Sequence, residues 1–285
     1  MRVQLKHMTL SLIEKRLSPE TLARIDELES IMNEANSDAF GFTPEQIKWV
    51  LPVMALIYEY YFRVETIGIE NVPEGRVLLI ANHSGQIPLD GMMIGTALLT
   101  EGTPPRPLRS MVERWIPSLP HVSRLFSRLG QVLGTPENCR YLLQNNEAVL
   151  VFPEGARGIS KTLDKSYQLQ EFGHGFMRLA METKTPIVPV GVVGAEEQYP
   201  ALWNLERVAR LLNMPAFPLS PTFFIPIVGL LPLPVKYRIH FGTPMHFDGD
   251  SDEDETLIGR RVLQVKDAIA DLVGEGLSAR KGIFR

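Results

Sequence analysis

The sequence predicts an α/β fold: a layered sheet flanked by helices, with a helical segment before it and a helix after it. Three observations lead there. Short apolar runs recur from residue 64 onward, each bounded by Gly, Pro, Asn or Asp. Helical patterns fall between those runs, and strands alternating with helices argue for a layered sheet. The chain has 285 residues and is 45% hydrophobic, enough for one large domain with appendages or two small ones.

Residues 1 to about 66 read as helical. Ser18-Pro19-Glu20 has the form of a cap with Pro at the first helical position, and Leu22, Ile25, Leu28 and Met32 follow at helical spacing. Thr43-Pro44-Glu45 repeats the start signal before an apolar run at 47–62. Strand candidates are 64–67, 77–81, 108–112, 148–152, 187–193 and 236–241. Helical patterns fall at 90–100, 120–130, 136–145 and 172–183. From Phe247, "FDGDSDEDE" reads as an acidic, solvated linker or helix entry, and 255–274 as an amphipathic helix before a basic tail. The expected organisation is a helical N-terminal region over 1–66, an α/β domain over 67–248, and a C-terminal helix and tail over 249–285.

Bulk properties narrow the function classes. A net charge of −4 argues against wholesale nucleic-acid binding. The single Cys, Cys139, rules out an intramolecular disulfide and suits a reducing compartment. The start, "MRVQLKHMTLSLIEKRL", is amphipathic and charged, without a signal-peptide apolar core. Two apolar segments approach the length of a membrane span, about 18 residues. Trp49 to Phe62 is interrupted by Pro52 and Glu59, and Met214 to Val235 carries prolines at 215, 218, 221, 226, 232 and 234, too many for a regular helix. His121, His174, His240 and His246 lack metal-ligand spacing, so no metal site is expected.

Three strand ends hold the reactive residue types. The first is "VLLIANHSGQIPLDG", an apolar run that closes in Asn82-His83 with Asp90 seven residues beyond His83. Strand ends in open α/β sheets are where ligands bind. His83 is either a base oriented by Asp90 or a polar loop residue, and Asp90 is equally suited to cap the helix that follows. The second is "VLVFPEGARG", where Pro153 ends the strand, Gly155 permits a tight turn, and Glu154 and Arg157 project from it. An Arg beside such a turn suits oxyanion or phosphate contact, or stands free in solvent. The third is "PIVPVGVVG". There is no Gly-x-Ser-x-Gly elbow.

These blocks resemble the glycerol-phosphate and lysophospholipid acyltransferase superfamily. "NHSGQIPLD", "RLGQVLGTPEN", "FPEGARG" and "IVPVGVVG" match its four blocks in order, over about residues 64–248. "GAEEQYP" and the Pro-rich stretch after it look more like the mono- and diacylglycerol acyltransferase branch. The family spacing leaves four residues between His and Asp; here six intervene, and Gly85 and Pro88 are expected to bulge and return Asp90 to His83.

The resemblance implies a mixed sheet flanked by helices and transfer of a fatty acyl group from a thioester to a glycerolipid hydroxyl. His83 would be the general base and Asp90 its orienter. Asn82, Glu154, Gly155 and Arg157 would serve substrate binding, with a backbone N–H of the Gly155 turn as an oxyanion donor. A lysophospholipid or lysophosphatidate would be the acceptor, with mono- or diacylglycerol as the alternative. A thioesterase or a non-catalytic lipid binder would use the same residues differently. No tightly bound cofactor is implied; acyl-coenzyme A or acyl carrier protein would bring the acyl group. The expected place is peripheral, on the cytoplasmic face of a membrane. Residues 47–62 and 214–235 would touch the lipid, or 47–62 would pack on the core. The arginines at 106, 109, 114, 124 and 128 would face anionic headgroups or carrier phosphates, or form a solvated surface.

Overall fold

The computed structural model describes residues 13, 15–33, 38–84, 89–113, 122–211, 217–225, 229 and 231–285. Two helices come first, α1 (Pro19–Asn33) and α2 (Pro44–Leu56), and α2 runs on into a π-helical turn at Ile57–Tyr61. Then follow β1 (Glu65–Ile67), β2 (Val77–Ala81), α3 (Leu89–Thr100), β3 (Leu108–Val112), α4 (Val122–Arg128) and β4 (Val132–Leu133). Next are α5 (Pro136–Gln144), β5 (Ala148–Val151), α6 (Ala156–Ile159), α7 (Gly175–Thr183) and β6 (Ile187–Val193). A small hairpin of β7 (Trp203–Asn204) and β8 (Pro218–Leu219) encloses α8 (Glu206–Leu211), before β9 (Arg238–Phe241) and α9 (Glu255–Ala279).

Seven strands form one mixed sheet in the order β1-β9-β6-β2-β5-β3-β4. Neighbours are parallel except β6 and β9, which pair antiparallel. β2 lies in the middle, between β5 and β6, and all five of its residues are fully buried. A central parallel strand covered on both faces has no polar side to alternate, which is why "VLLIA" is continuously apolar.

The period of two divides each strand between two cores. Val77, Leu79 and Ala81 of β2, with Val188, Val190 and Val192 of β6, face Met93, Ile94, Ala97 and Leu98 of α3. Leu78, Ile80 and Val149 face the other way, onto α5, α7 and α9. The stripe on α9 is Ile258, Val262, Val265, Ile269 and Val273, one face of a 3.6-residue period. Its approach to β6 is close: a Cβ at Gly191 would stand 2.7 Å from Leu272 Cβ.

The apolar segment 47–62 is folded against the protein. Ile47, Leu51 and Ala55 pack with Leu17, Ile25 and Leu28 and with Leu99 of α3. Tyr58 and Phe62 enter the sheet-side core, and the Tyr58 hydroxyl donates to Glu101 Oε1 at 2.7 Å. Among the described residues no helix is long and apolar enough to cross a membrane.

The structure adds three strands to those expected, β4, β7 and β8, each only two residues long and so too short to show a period. Of the five arginines read as a basic surface, Arg109 is buried and Arg106 half-buried. Arg109 ion-pairs with Asp38 at 2.6 Å, and Arg106 donates to the carbonyls of Pro73, Glu74, Gly75 and Asn146. Arg124 and Arg128 are exposed, while Arg114 lies outside the described residues.

Cys139 is buried in α5, and burial pushes its thiol up to about 11. A thiol is reactive as the thiolate. The native protein should therefore resist iodoacetamide at neutral pH and be alkylated rapidly once unfolded, as read by mass spectrometry.

Candidate active site

The parallel strands bring three chain segments to one edge of the sheet. The end of β2 supplies Asn82 to Ser84, the end of β5 supplies Phe152 to Gly158, and the end of β6 supplies Gly194 to Gln198. Gaps between the carboxyl ends of parallel strands are where such sheets hold ligands.

His83 and Asp90 meet. His83 Nδ1 lies 2.8 Å from Asp90 Oδ2, and the Asp90 carboxylate is completely buried. Asp90 Oδ2 also accepts the Ser84 N–H at 3.0 Å, and Oδ1 accepts the Gly91 N–H at 2.8 Å. With a carboxylate as partner, Nδ1 carries the proton and Nε2 keeps its lone pair. Nε2 makes no hydrogen bond among the described residues, and the His83 side chain is 13% exposed. The ring stacks on Phe152 with centroids 4.1 Å apart and an interplanar angle of 19°. Asp90 sits in the first turn of α3, where a negative charge also suits the helix dipole, so one carboxylate serves both the imidazole and the helix start. Gly85 and Pro88, expected to bulge between the two, lie outside the described residues.

Asn82 is enclosed. Its side-chain amide donates to Val192 O at 3.0 Å and accepts the Val192 N–H at 2.7 Å, which ties the end of β2 to β6. Glu154 is likewise closed off from solvent. Its Oε1 accepts the backbone N–H of His83 at 2.9 Å, and Oε2 accepts that of Gln170 at 2.8 Å. Lys161, itself buried, lies 3.6 Å from Glu154 and 2.6 Å from Glu196. Burial pushes the Glu196 carboxyl above its ordinary range, and the Lys161 ammonium pulls it back. The carboxylate of Glu154 therefore fixes the backbone that carries His83.

Gly155 has φ +55°, a backbone that disfavours a side chain. The N–H groups of the turn it opens are already engaged: Gly155 donates to Phe152 O, Ala156 to Glu113 Oε1 at 3.1 Å, and Gly158 to Gly155 O. The expected oxyanion donor is thus not free at residues 155, 156 or 158. Arg157 is half exposed and donates to Glu171 Oε2 at 2.8 Å and to Glu171 O at 3.0 Å. An exposed pair of this kind contributes about 0–1 kcal/mol, so another anion competes for it readily. Ser84 Oγ is buried with no hydrogen-bond partner among the described residues, His83 included, and so is not coupled to it as a nucleophile.

Sequence reasoning missed Phe152, Gly158, Lys161 and Glu196. Phe152 reads in the sequence as the last residue of the 148–152 strand, and Gly158 as part of "FPEGARG" without a role at His83. Lys161 and Glu196 are 35 residues apart with no pattern linking them, and only the fold joins them.

Comparison with known proteins bears on the family and the fold. A family model described as Acyltransferase matches residues 63–193. An uncharacterized protein of Mycobacterium tuberculosis is 35% identical over 265 residues, covering 90% of this chain and 74% of its own. A protein of Mycoplasma pneumoniae named as a probable 1-acyl-sn-glycerol-3-phosphate acyltransferase is 28% identical over 180 residues, covering 59% of this chain and 65% of its own. The crystal structure of the 1-acyl-sn-glycerophosphate (LPA) acyltransferase PlsC from Thermotoga maritima superposes with a TM-score of 0.54 at 18% identity, covering 99% of this chain and all of that one, and so shares its fold. With three of the four sequence blocks brought to one sheet edge and residues 63–193 matching its model, the chain belongs to the Acyltransferase family.

Proposed function

We propose that the protein transfers a fatty acyl group from a thioester to a hydroxyl of a glycerolipid, with His83 as the general base. The observation that carries this reading is the 2.8 Å contact of His83 Nδ1 with the fully buried Asp90. An alcohol is a poor nucleophile, and a base must remove its proton as the new bond forms. His83 Nε2 takes that proton while the alcohol oxygen attacks the thioester carbonyl. Asp90 steadies the imidazolium. The tetrahedral intermediate then expels the thiolate, which recovers the proton from His83, leaving an ester and a free thiol. No acyl-enzyme is needed.

The leading acceptor is a lysophospholipid or lysophosphatidate, and its phosphate would compete with Glu171 for Arg157. Asn82 and Glu154 act as positioning residues, and Gly155 shapes the turn. The donor is an acyl-coenzyme A or an acyl carrier protein thioester. The protein would work as a peripheral protein on the cytoplasmic face of a membrane. The second reading is a neutral acceptor, mono- or diacylglycerol. It is favoured by the two acids at the mouth of the turn, Glu113 on the Ala156 N–H and Glu171 on Arg157.

The test supplies palmitoyl- and oleoyl-coenzyme A, or the acyl carrier protein thioester, with lysophosphatidate, other lysophospholipids, monoacylglycerol and diacylglycerol. Free thiol and lipid product are both followed. Ester product with a phosphate-bearing acceptor supports the first reading, and product only with neutral acceptors supports the second. Thiol release without ester would make the protein a thioesterase. No turnover with either carrier would leave a lipid binder.

Gly158 gives a sharper check on the site. A Cβ there would stand 2.8 Å from His83 Cβ and 2.9 Å from His83 O. Neither atom can yield without moving the base, and a displacement near 1 Å costs on the order of 100-fold. Gly158→Ala should therefore lower kcat by about tenfold or more in the transfer assay; turnover at the wild-type level would show that His83 does not need this backbone position.

A further inference from the structure

The segment between β6 and β9 stands apart in composition. Seven of the sixteen large apolar side chains that the described residues leave exposed lie within residues 202–231, about a tenth of the chain. They include Leu202, Trp203, Leu211, Phe224, Ile225 and Leu231, with Leu211 exposed by 82%, Phe224 by 72% and Trp203 by 55%. Surface apolar residues scattered singly are ordinary, but a cluster marks a contact. The backbone ties the first of these residues to the return of the hairpin: Trp203 pairs with Leu219, and Leu202 and Leu205 donate to Leu219 O and Phe217 O.

Charge points to the same partner. The insert carries three acids and three bases, but Glu196 and Glu197 are ion-paired with Lys161 and Arg280 at its start and Lys236 with Glu65 at its end, which leaves Arg207 and Arg210 against Glu206 along its length. Arg207 and Arg210 are exposed on α8, beside Leu211. The end of the chain lies against the return of this insert. Lys236 N–H donates to Ile283 O at 2.9 Å, and Arg63 bridges the carbonyls of Pro234 and Phe284. That brings exposed Ile283, Phe284, Lys281 and Arg285 to its base. Apolar side chains with an aromatic anchor and a cationic rim match an anionic bilayer surface.

Topology fixes where the insert stands. β6 runs parallel to β2 and β5, and Val193 at its end pairs with Arg238 at the start of antiparallel β9. The insert therefore leaves and returns at the sheet edge that carries His83. Ala201 O accepts the Leu163 N–H at 2.8 Å, which joins the insert to the loop after Arg157.

We propose that the β6–β9 insert docks the protein on an anionic bilayer surface and so presents the His83 edge to the membrane. The proposal rests on the reading above only in taking the substrate to be a lipid.

The test is co-sedimentation with vesicles of phosphatidylcholine alone and of phosphatidylcholine with phosphatidylglycerol. Three proteins are compared with wild type: a Trp203→Ser/Leu211→Ser/Phe224→Ser variant, an Arg207→Gln/Arg210→Gln variant, and a Leu257→Ser/Leu263→Ser control on the exposed side of α9. Wild type should bind the anionic vesicles. The triple variant should bind about tenfold less or weaker still, the arginine variant should lose the preference for anionic lipid, and the control should match wild type. Transfer to a detergent-dispersed acceptor should persist in the triple variant, so failed docking and failed catalysis are read separately. Wild-type binding by the triple variant would overturn the proposal, as would equal loss in the control. So would a change of mass in sedimentation velocity with vesicle binding intact, which would assign the patch to a second copy of the chain.

Discussion

His83→Ala is expected to lower acyl transfer by about 10²–10⁴-fold while the protein stays folded. The ring lies at the rim of the site, 13% exposed and with its outer nitrogen unpartnered among the described residues, so its loss removes a base without opening the core. Asp90→Asn should fall nearly as far, for a different reason. Asp90 receives three N–H donors, from His83, Ser84 and Gly91. An amide offers one oxygen and a pair of hydrogens in their place, so it either leaves a backbone N–H unsatisfied or turns a donor towards Nδ1. The second arrangement selects the wrong imidazole tautomer. Near-normal turnover in Asp90→Asn beside an inactive His83→Ala would reduce Asp90 to a helix-start residue. Parallel melting curves separate both results from unfolding.

Glu154→Gln should combine a loss of stability with a loss of rate. The carboxylate accepts two backbone N–H groups in a closed site, and a buried acceptor replaced by a donor costs about 1–3 kcal/mol. Lys161 retains Glu196 at 2.6 Å, which keeps the cost below that of a stranded charge. Tm should drop by several degrees, and kcat by roughly 10–100-fold as the His83 backbone loses its anchor. The measurement that decides is the acceptor KM. A Glu154 that touched the acceptor would raise KM with Tm unchanged; one that positions His83 lowers kcat and Tm together.

Much of this was legible in the sequence, for identifiable reasons. The central strands are continuously apolar and end abruptly at Asn82 or Pro153, so their positions were visible. The α9 stripe showed a clean helical period, although the helix runs five residues beyond the predicted 274, to Ala279. His83 and Asp90 could be paired despite the longer spacing because one chain segment holds both. The Lys161–Glu196 pair was not visible, since it joins segments that meet only when β5 and β6 flank β2. Arg106 and Arg109 misled because charge in a sequence is read as surface, and nothing local revealed the carbonyls that engage half-buried Arg106 or the carboxylates that pair with buried Arg109. Glu154 was read as reaching for a substrate because a strand-end acid usually points outward; here the turn at Gly155 folds it back under His83.

The placement of His83 directly after β2 also bears on how the site can move. β2 is hydrogen-bonded on both sides and buried on both faces. Segments of that kind exchange their amide hydrogens only through global opening, the slowest class of native fluctuation. The Asn82 tie to Val192 extends the same protection to the residue before the histidine. The base is therefore a fixed post, and the breathing required to admit and release a long, flexible lipid must come from the less protected segments around it.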